Sequence, residues 1–171
     1  MVPRIALVIG SKSDWPTVQP VVEQFEKSQV EIAVSSLSCH RNPYETKSFC
    51  GSRGGRRSRW LRGVNAVLCA GSKAFQLPGA IDAWLYANGV AIPVIGVALG
   101  APGSRPWCAA KLSIEELPGT PVLMGQNGEY DECYLGPEGL EKAIRRVIAR
   151  QLPPPKQRDD KPAEMNFWKN Y

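Results

Sequence analysis

Gly10-Ser11-Lys12-Ser13-Asp14 sets two hydroxyls, a carboxylate and a run of backbone N–H groups between an apolar stretch and a helical pattern. Free N–H groups and the dipole at a helix start favour an anion, and phosphate is the obvious candidate. The plainer role for Ser13 or Asp14 is a helix cap, and on this stretch alone both readings stand. A second polar group, Ser38-Cys39-His40-Arg41-Asn42-Pro43, contains the only histidine of the 171 residues. A third, Gly71-Ser72-Lys73-Ala74-Phe75-Gln76-Leu77-Pro78-Gly79, mixes hydroxyl, ammonium and amide groups. Such groups act together only if the fold brings them to one place.

The pattern around them says that it does. Arg4–Ile9, Val30–Leu37, Val64–Ala70, Ile92–Leu99 and Pro121–Gly125 are short apolar runs that read as strands, with Pro93 best placed at a strand start. Between them lie helical patterns: Trp15 to about Lys27, Tyr44 to about Phe49, Ala80–Ala87 with Ile81, Trp84 and Leu85 on one side, and Cys108–Leu117. Pro20 either kinks the first helix or delays its regular part to Thr17. Gln126–Tyr134 reads as a polar connection, and Leu135–Leu152 contains an amphipathic helix stopped by Pro153-Pro154-Pro155. Near-continuous apolar strands alternating with helices predict a parallel sheet covered on both faces. In such a sheet, ligands bind at the carboxyl ends of the strands, where all three polar groups fall. One domain over residues 1–152 is expected, with 153–171 as a tail. The apolar end of that tail, Met165, Phe167, Trp168 and Tyr171, suits docking on a neighbouring subunit.

Composition narrows the classes. An apolar share of 43% and a charged share of 22% fit a globular domain. No apolar run reaches the ~18 residues of a membrane span. Met1-Val2-Pro3-Arg4 leads into the first strand without a signal-peptide layout, so the cytoplasm is expected. The five cysteines contain no Cys-x-x-Cys pair, which argues against a zinc site or a disulfide framework; they read as reduced, mostly buried apolar residues.

The net charge of +5 is local. Arg53, Arg56, Arg57, Arg59 and Arg62 account for it, since removing five from 21 leaves 16 basic residues against 16 acidic ones. Trp60 alone accompanies them, so nucleic-acid binding is disfavoured. Gly51, Gly54 and Gly55 fall in the same segment, and no apolar period runs through it. An irregular connection is expected there. It is either a recruited basic loop or the product of a local shift of reading frame in GC-rich codons.

The three polar groups resemble one family. Gly10-Ser11-Lys12-Ser13-Asp14-Trp15-Pro16, Ser38-Cys39-His40-Arg41-Asn42-Pro43, and Ala70-Gly71 leading to Leu77-Pro78-Gly79 are similar to the PurE family, with Pro93-Val94-Ile95-Gly96-Val97 fitting as well. That family comprises carboxyaminoimidazole ribonucleotide mutase and aminoimidazole ribonucleotide (AIR) carboxylase of purine biosynthesis. The likeness covers about Ile5–Leu152. It implies a flavodoxin-like three-layer α/β/α sandwich, a homo-octamer with sites between subunits, a ribonucleotide substrate with carbon dioxide, and neither metal nor organic cofactor. It implies that Ser11, Ser13 and Asp14 hold the ribose phosphate region beside Gly10. Ser38 would line the site, Arg41 would bind phosphate and His40 would be the acid/base; Ala70, Gly71, Ser72, Lys73, Gln76 and Leu77 would complete the substrate wall. The residue types agree, since guanidinium matches phosphate and imidazole suits proton transfer.

The chain also departs from the family pattern. Cys39 stands where alanine is usual. Gln76 replaces the second histidine that the mutase branch carries before Leu-Pro-Gly, and glutamine holds no exchangeable acid proton. Ser72-Lys73-Ala74-Phe75 is bulkier and more positive than the usual small-residue loop. These changes leave three readings: carboxyl transfer on AIR or an analogue, a binding protein without turnover, or an enzyme for another ribonucleotide.

Overall fold

The computed structural model describes residues 2–53, 56–117, 122 and 133–155, with backbone alone for 52–53 and 56–57. Among these residues, five parallel strands form the sheet: β1 (Arg4–Ile9), β2 (Glu31–Ser36), β3 (Ala66–Gly71), β4 (Val94–Ala98) and β5 (Tyr134–Leu135). Their order is β2-β1-β3-β4-β5. Leu7 is the centre of the register, opposite Val34 on one side and Leu68 on the other. The helices are α1 (Trp15–Gln24), α2 (Pro43–Cys50), α3 (Leu77–Ala87), α4 (Arg105–Glu115) and α5 (Gly136–Ile148).

Alternation along each strand divides the core in two. Ile5, Leu7 and Ile9 pack with Val18 and Val21 of α1 and with Leu140, Ile144 and Val147 of α5. Ala6, Val8, Val67 and Cys69 point the other way, onto Phe49 of α2, Leu77 and Ile81 of α3, and Ile114 of α4. Each large aliphatic side chain so buried contributes roughly 1.5–3 kcal/mol. The result is the expected flavodoxin-like three-layer α/β/α sandwich. Gly96 lets α4 pack closely on the sheet, because a Cβ there would lie 2.6 Å from Ile114 Cγ2.

Several local expectations change. Every described helix has proline at its first or second position: Pro16, Pro43, Pro78, Pro106 and Pro137. Proline loses nothing there, since that N–H has no partner within the helix. So α3 starts at Leu77 rather than Ala80, and α4 at Arg105 rather than Cys108. Helix α1 starts at Trp15, accommodates Pro20, and stops at Gln24, three residues before Lys27. Trp84 does not join Ile81 and Leu85 in the core; it is 37% exposed with Lys47 Nζ 5.0 Å over its ring. Strand β2 is an open edge rather than a doubly covered strand, and Val34 is exposed.

Tyr134, read as part of a polar connection, is buried in β5, where its hydroxyl accepts from Arg146 Nη1 at 2.8 Å. Apart from Val122, the expected strand Pro121–Gly125 lies outside the described residues, as do most of the connection after it and residues 156–171. Among its described residues the Gly/Arg segment forms no α-helix. Ser52–Arg53 pairs antiparallel with Arg56–Arg57, and a single 3-10 turn, Arg59–Leu61, follows. Leu61 anchors this turn in the core, and Ser58 Oγ donates to the Phe49 carbonyl at 2.6 Å. No described helix is long and apolar enough to cross a membrane.

Candidate active site

The chain runs from β1 outward to β2, then returns to the other side of β1 for β3. This reversal opens a crevice at the carboxyl ends of the three strands. All three polar loops enter it. Gly10 N–H donates to Ala70 O at 3.2 Å and Leu37 N–H to Ile9 O at 3.0 Å, so the loops leave from a sheet edge that is still hydrogen-bonded.

After β1, a 3-10 turn spans Lys12–Asp14, and its cap is Ser11 rather than Ser13 or Asp14. Ser11 Oγ accepts from the Ser13 N–H at 3.3 Å and from the Ser13 hydroxyl at 2.9 Å. Asp14 precedes α1 but makes no side-chain cap bond. It turns to the β3 loop instead, accepting from Ser72 Oγ at 3.1 Å. The carboxyl group is mostly buried, and that burial raises its pKa above the ordinary 3.8. The Ser72 bond, a backbone bond from the Ser11 region and the charges of Lys73 and Arg41 pull the other way without cancelling the rise.

After β2, three bonds close a turn around His40. Asn42 N–H donates to Ser38 O at 2.7 Å, Ser38 N–H to Asn42 Oδ1 at 3.3 Å, and Arg41 N–H to Ser38 Oγ at 3.3 Å. His40 sits exposed at the tip of this turn. Arg41 Nη2 reaches back to Gly10 O at 3.0 Å and ties the β2 loop to the β1 loop. After β3, Lys73 takes a positive φ of 65° and donates its N–H to Pro106 O at 2.9 Å, against the start of α4.

The three loops enclose a cleft of about 290 Å³. Gly10, Ser11, Ser13 and Asp14 line it from the β1 loop; Ser38, His40 and Arg41 from the β2 loop; Ser72, Lys73, Gln76 and Leu77 from the β3 side. Ala70 and Gly71 lie beneath it, buried in β3, and contribute backbone rather than wall. Cys39, Ala74 and Phe75 also line the cleft; the sequence marks them as departures from the family pattern but not as site residues. Phe75 is the informative omission. Its ring is buried over two glycines: a Cβ on Gly10 would lie 2.7 Å from Phe75 Cε2, and one on Gly71 would meet the same atom. An aromatic residue in a loop bounded by glycines was the available signal.

His40, Gln76 and Cys39 also face a second hollow of about 670 Å³, whose far side is Leu112, Glu116 and Leu117. His40 therefore stands between two spaces, one polar and one partly apolar. The Cys39 thiol is pushed up by burial and stays protonated, unsuited to nucleophilic attack. Buried Cys50 and Cys133 are pushed up to about 12 and behave as apolar residues, while Cys108 is half-buried. The arrangement can hold an anion at Ser11, Ser13 and Arg41 and move a proton at His40.

Comparison with known proteins identifies the family. The family model for AIR carboxylase matches residues 4–125. The chain is 34% identical over 141 residues to the N5-carboxyaminoimidazole ribonucleotide mutase of Escherichia coli (strain K12), covering 80% of this chain and 76% of that one. It is 27% identical over 151 residues to the protein of the same name from Aliivibrio fischeri (strain ATCC 700601 / ES114), covering 85% and 86%. For that of Pyrococcus abyssi (strain GE5 / Orsay) the identity is 25% over 139 residues, covering 81% and 74%. The match spans every loop that builds the cleft, and the chain belongs to the AIR carboxylase (PurE) family.

Proposed function

We propose that this chain moves a carboxyl group on aminoimidazole ribonucleotide or a close analogue, with His40 as general acid/base. The observation that carries the reading is the convergence of His40, Arg41 and the Ser11–Ser13 turn in one cleft, with Arg41 bonded across it to Gly10. Ser11, Ser13 and Arg41 hold the ribose phosphate, and Asp14 accepts from ribose hydroxyls. Carbon dioxide adds to, or leaves, the electron-rich imidazole carbon, while His40 removes or returns the proton on that carbon. Holding carbon dioxide beside the carbon replaces a collision by a positioned step, and excluding water protects the unstable carboxylated species. Gln76 hydrogen-bonds but cannot take up and release a proton, so proton traffic falls to His40 alone. The reading needs neither metal nor organic cofactor.

We further propose a homo-oligomer, an octamer on the family pattern, in which a neighbouring subunit closes the hollow behind His40 and receives the tail at 153–171. Exposed Leu112 on the wall of that hollow supports this, as do exposed Tyr44, Trp60 and Tyr86 on the same layer.

The test is turnover of AIR with and without bicarbonate, in the unaltered protein and in His40→Asn. General acid–base catalysis is worth ~100- to 10,000-fold. A loss in that range, with fold and assembly intact, supports the assignment; a loss under tenfold removes His40 from the chemistry. Tight binding of AIR by an unaltered protein that never turns it over would instead identify a binding protein.

A further inference from the structure

The cleft carries a cation on each of two of its walls. Arg41 lies on its β2 side, committed at one nitrogen to Gly10 O and placed beside the Ser11–Ser13 turn. Lys73 lies on its β3 side. It is close enough to Asp14 for its charge to act on the carboxyl group, yet among the described residues its ammonium makes no ion pair. The Asp14 carboxylate takes its hydrogen bond from Ser72 instead.

The Lys73 backbone is unusual as well. A φ of 65° is a conformation that L side chains seldom adopt, and it persists only where the surroundings enforce it. Here the enforcing contacts are the N–H bond to Pro106 and the burial of Phe75 two residues on. A lysine in such a position is held at a fixed corner of the loop, three residues before Gln76 on the same wall.

A ribonucleotide that carries a carboxyl group has two anionic ends, the phosphate and the carboxylate of the base. Arg41 and the serine turn answer the first. We propose that Lys73 is a specificity-determining residue that binds the carboxylate at the base end of the substrate, so that the cleft favours a carboxylated ribonucleotide over its decarboxylated counterpart. This assignment rests on the function proposed above and adds which end of the substrate each cation reads.

Calorimetric titration of AIR and of 4-carboxy-AIR into the unaltered protein, Lys73→Met, Lys73→Arg and Lys73→Gly tests it. A hydrogen bond between charged groups is worth enough to change affinity about tenfold or more. Lys73→Met should weaken 4-carboxy-AIR by that factor and leave AIR within about twofold. Lys73→Arg should keep most of the preference. Lys73→Gly, which suits the positive φ and relieves any strain, should lose the preference as Met does. Equal losses for both ligands, or none for either, would overturn the carboxylate assignment while leaving the proposed function standing. Failure of the unaltered protein to bind either ribonucleotide would overturn the function, and this assignment with it.

Discussion

The two faces of the sheet are covered to different ends. On the face of α1 and α5 the helices bury their apolar sides and turn polar groups to water. Glu141 pairs with Arg145, Gln19 bonds to Glu23, and Arg145 lies over the Phe25 ring. On the face of α2, α3 and α4 the core is as well filled, but the outside carries Tyr44, Trp60, Trp84, Tyr86 and Leu112. Cations cover the rings of Trp84 and Trp60. Single exposed apolar residues are ordinary, but several in one layer mark a surface that meets protein. The second hollow behind His40 opens through this same layer, at Leu112. One face completes the fold, and the other carries the surface that the proposed assembly would use.

The largest effect should come from charging the second face. Tyr44→Glu combined with Leu112→Glu should convert the assembled protein to monomer in light scattering, while unfolding stability changes by only ~0.5 kcal/mol, as for other surface substitutions. If the unaltered protein is already a monomer, the contrast between the faces has no meaning for assembly. Next in size is a cavity on the first face. Ile144 is fully buried between α5 and the sheet, so Ile144→Ala should cost ~2–5 kcal/mol in denaturant unfolding, with assembly retained until the fold is lost.

The smallest effect lies at the seam between the faces, at Asp14. Its folded pKa is raised, so the folded state holds the proton more tightly than the unfolded chain and ionisation opposes folding. Asp14→Asn can still accept from Ser72. It should therefore stabilise the protein modestly above the raised pKa, with the gain shrinking as pH falls and vanishing below the ordinary 3.8. Thermal melts across that range check the sign; a variant that is less stable at neutral pH would mean that the Arg41 and Lys73 charges outweigh burial.

How much of this was legible in the sequence differs by residue. The apolar runs fixed the alternation of Ile5, Leu7 and Ile9 against Ala6 and Val8, and so the parallel sheet. The cleft followed, because topology alone sends the loops after β1, β2 and β3 to one crevice. Helix starts were misplaced where proline was read as loop, at Pro78 and Pro106; the same residue breaks a helix inside and suits its first turn, and only tertiary structure distinguishes the two. Tyr134 was missed because its partner Arg146 is twelve residues away on α5. The burial of Asp14 was hidden for a related reason, since Ser72, which bonds to it, is brought near by strand pairing rather than by chain proximity.

Phe75 and the two glycines beneath it have a consequence for how this site can diverge. With the ring in place, a side chain on Gly10 or Gly71 would force the ring to move. The three positions, on two separate loops, are therefore sterically coupled. A residue as large as phenylalanine at position 75 therefore disfavours substitution at both glycines, whereas Lys73 and Gln76 face the cleft itself.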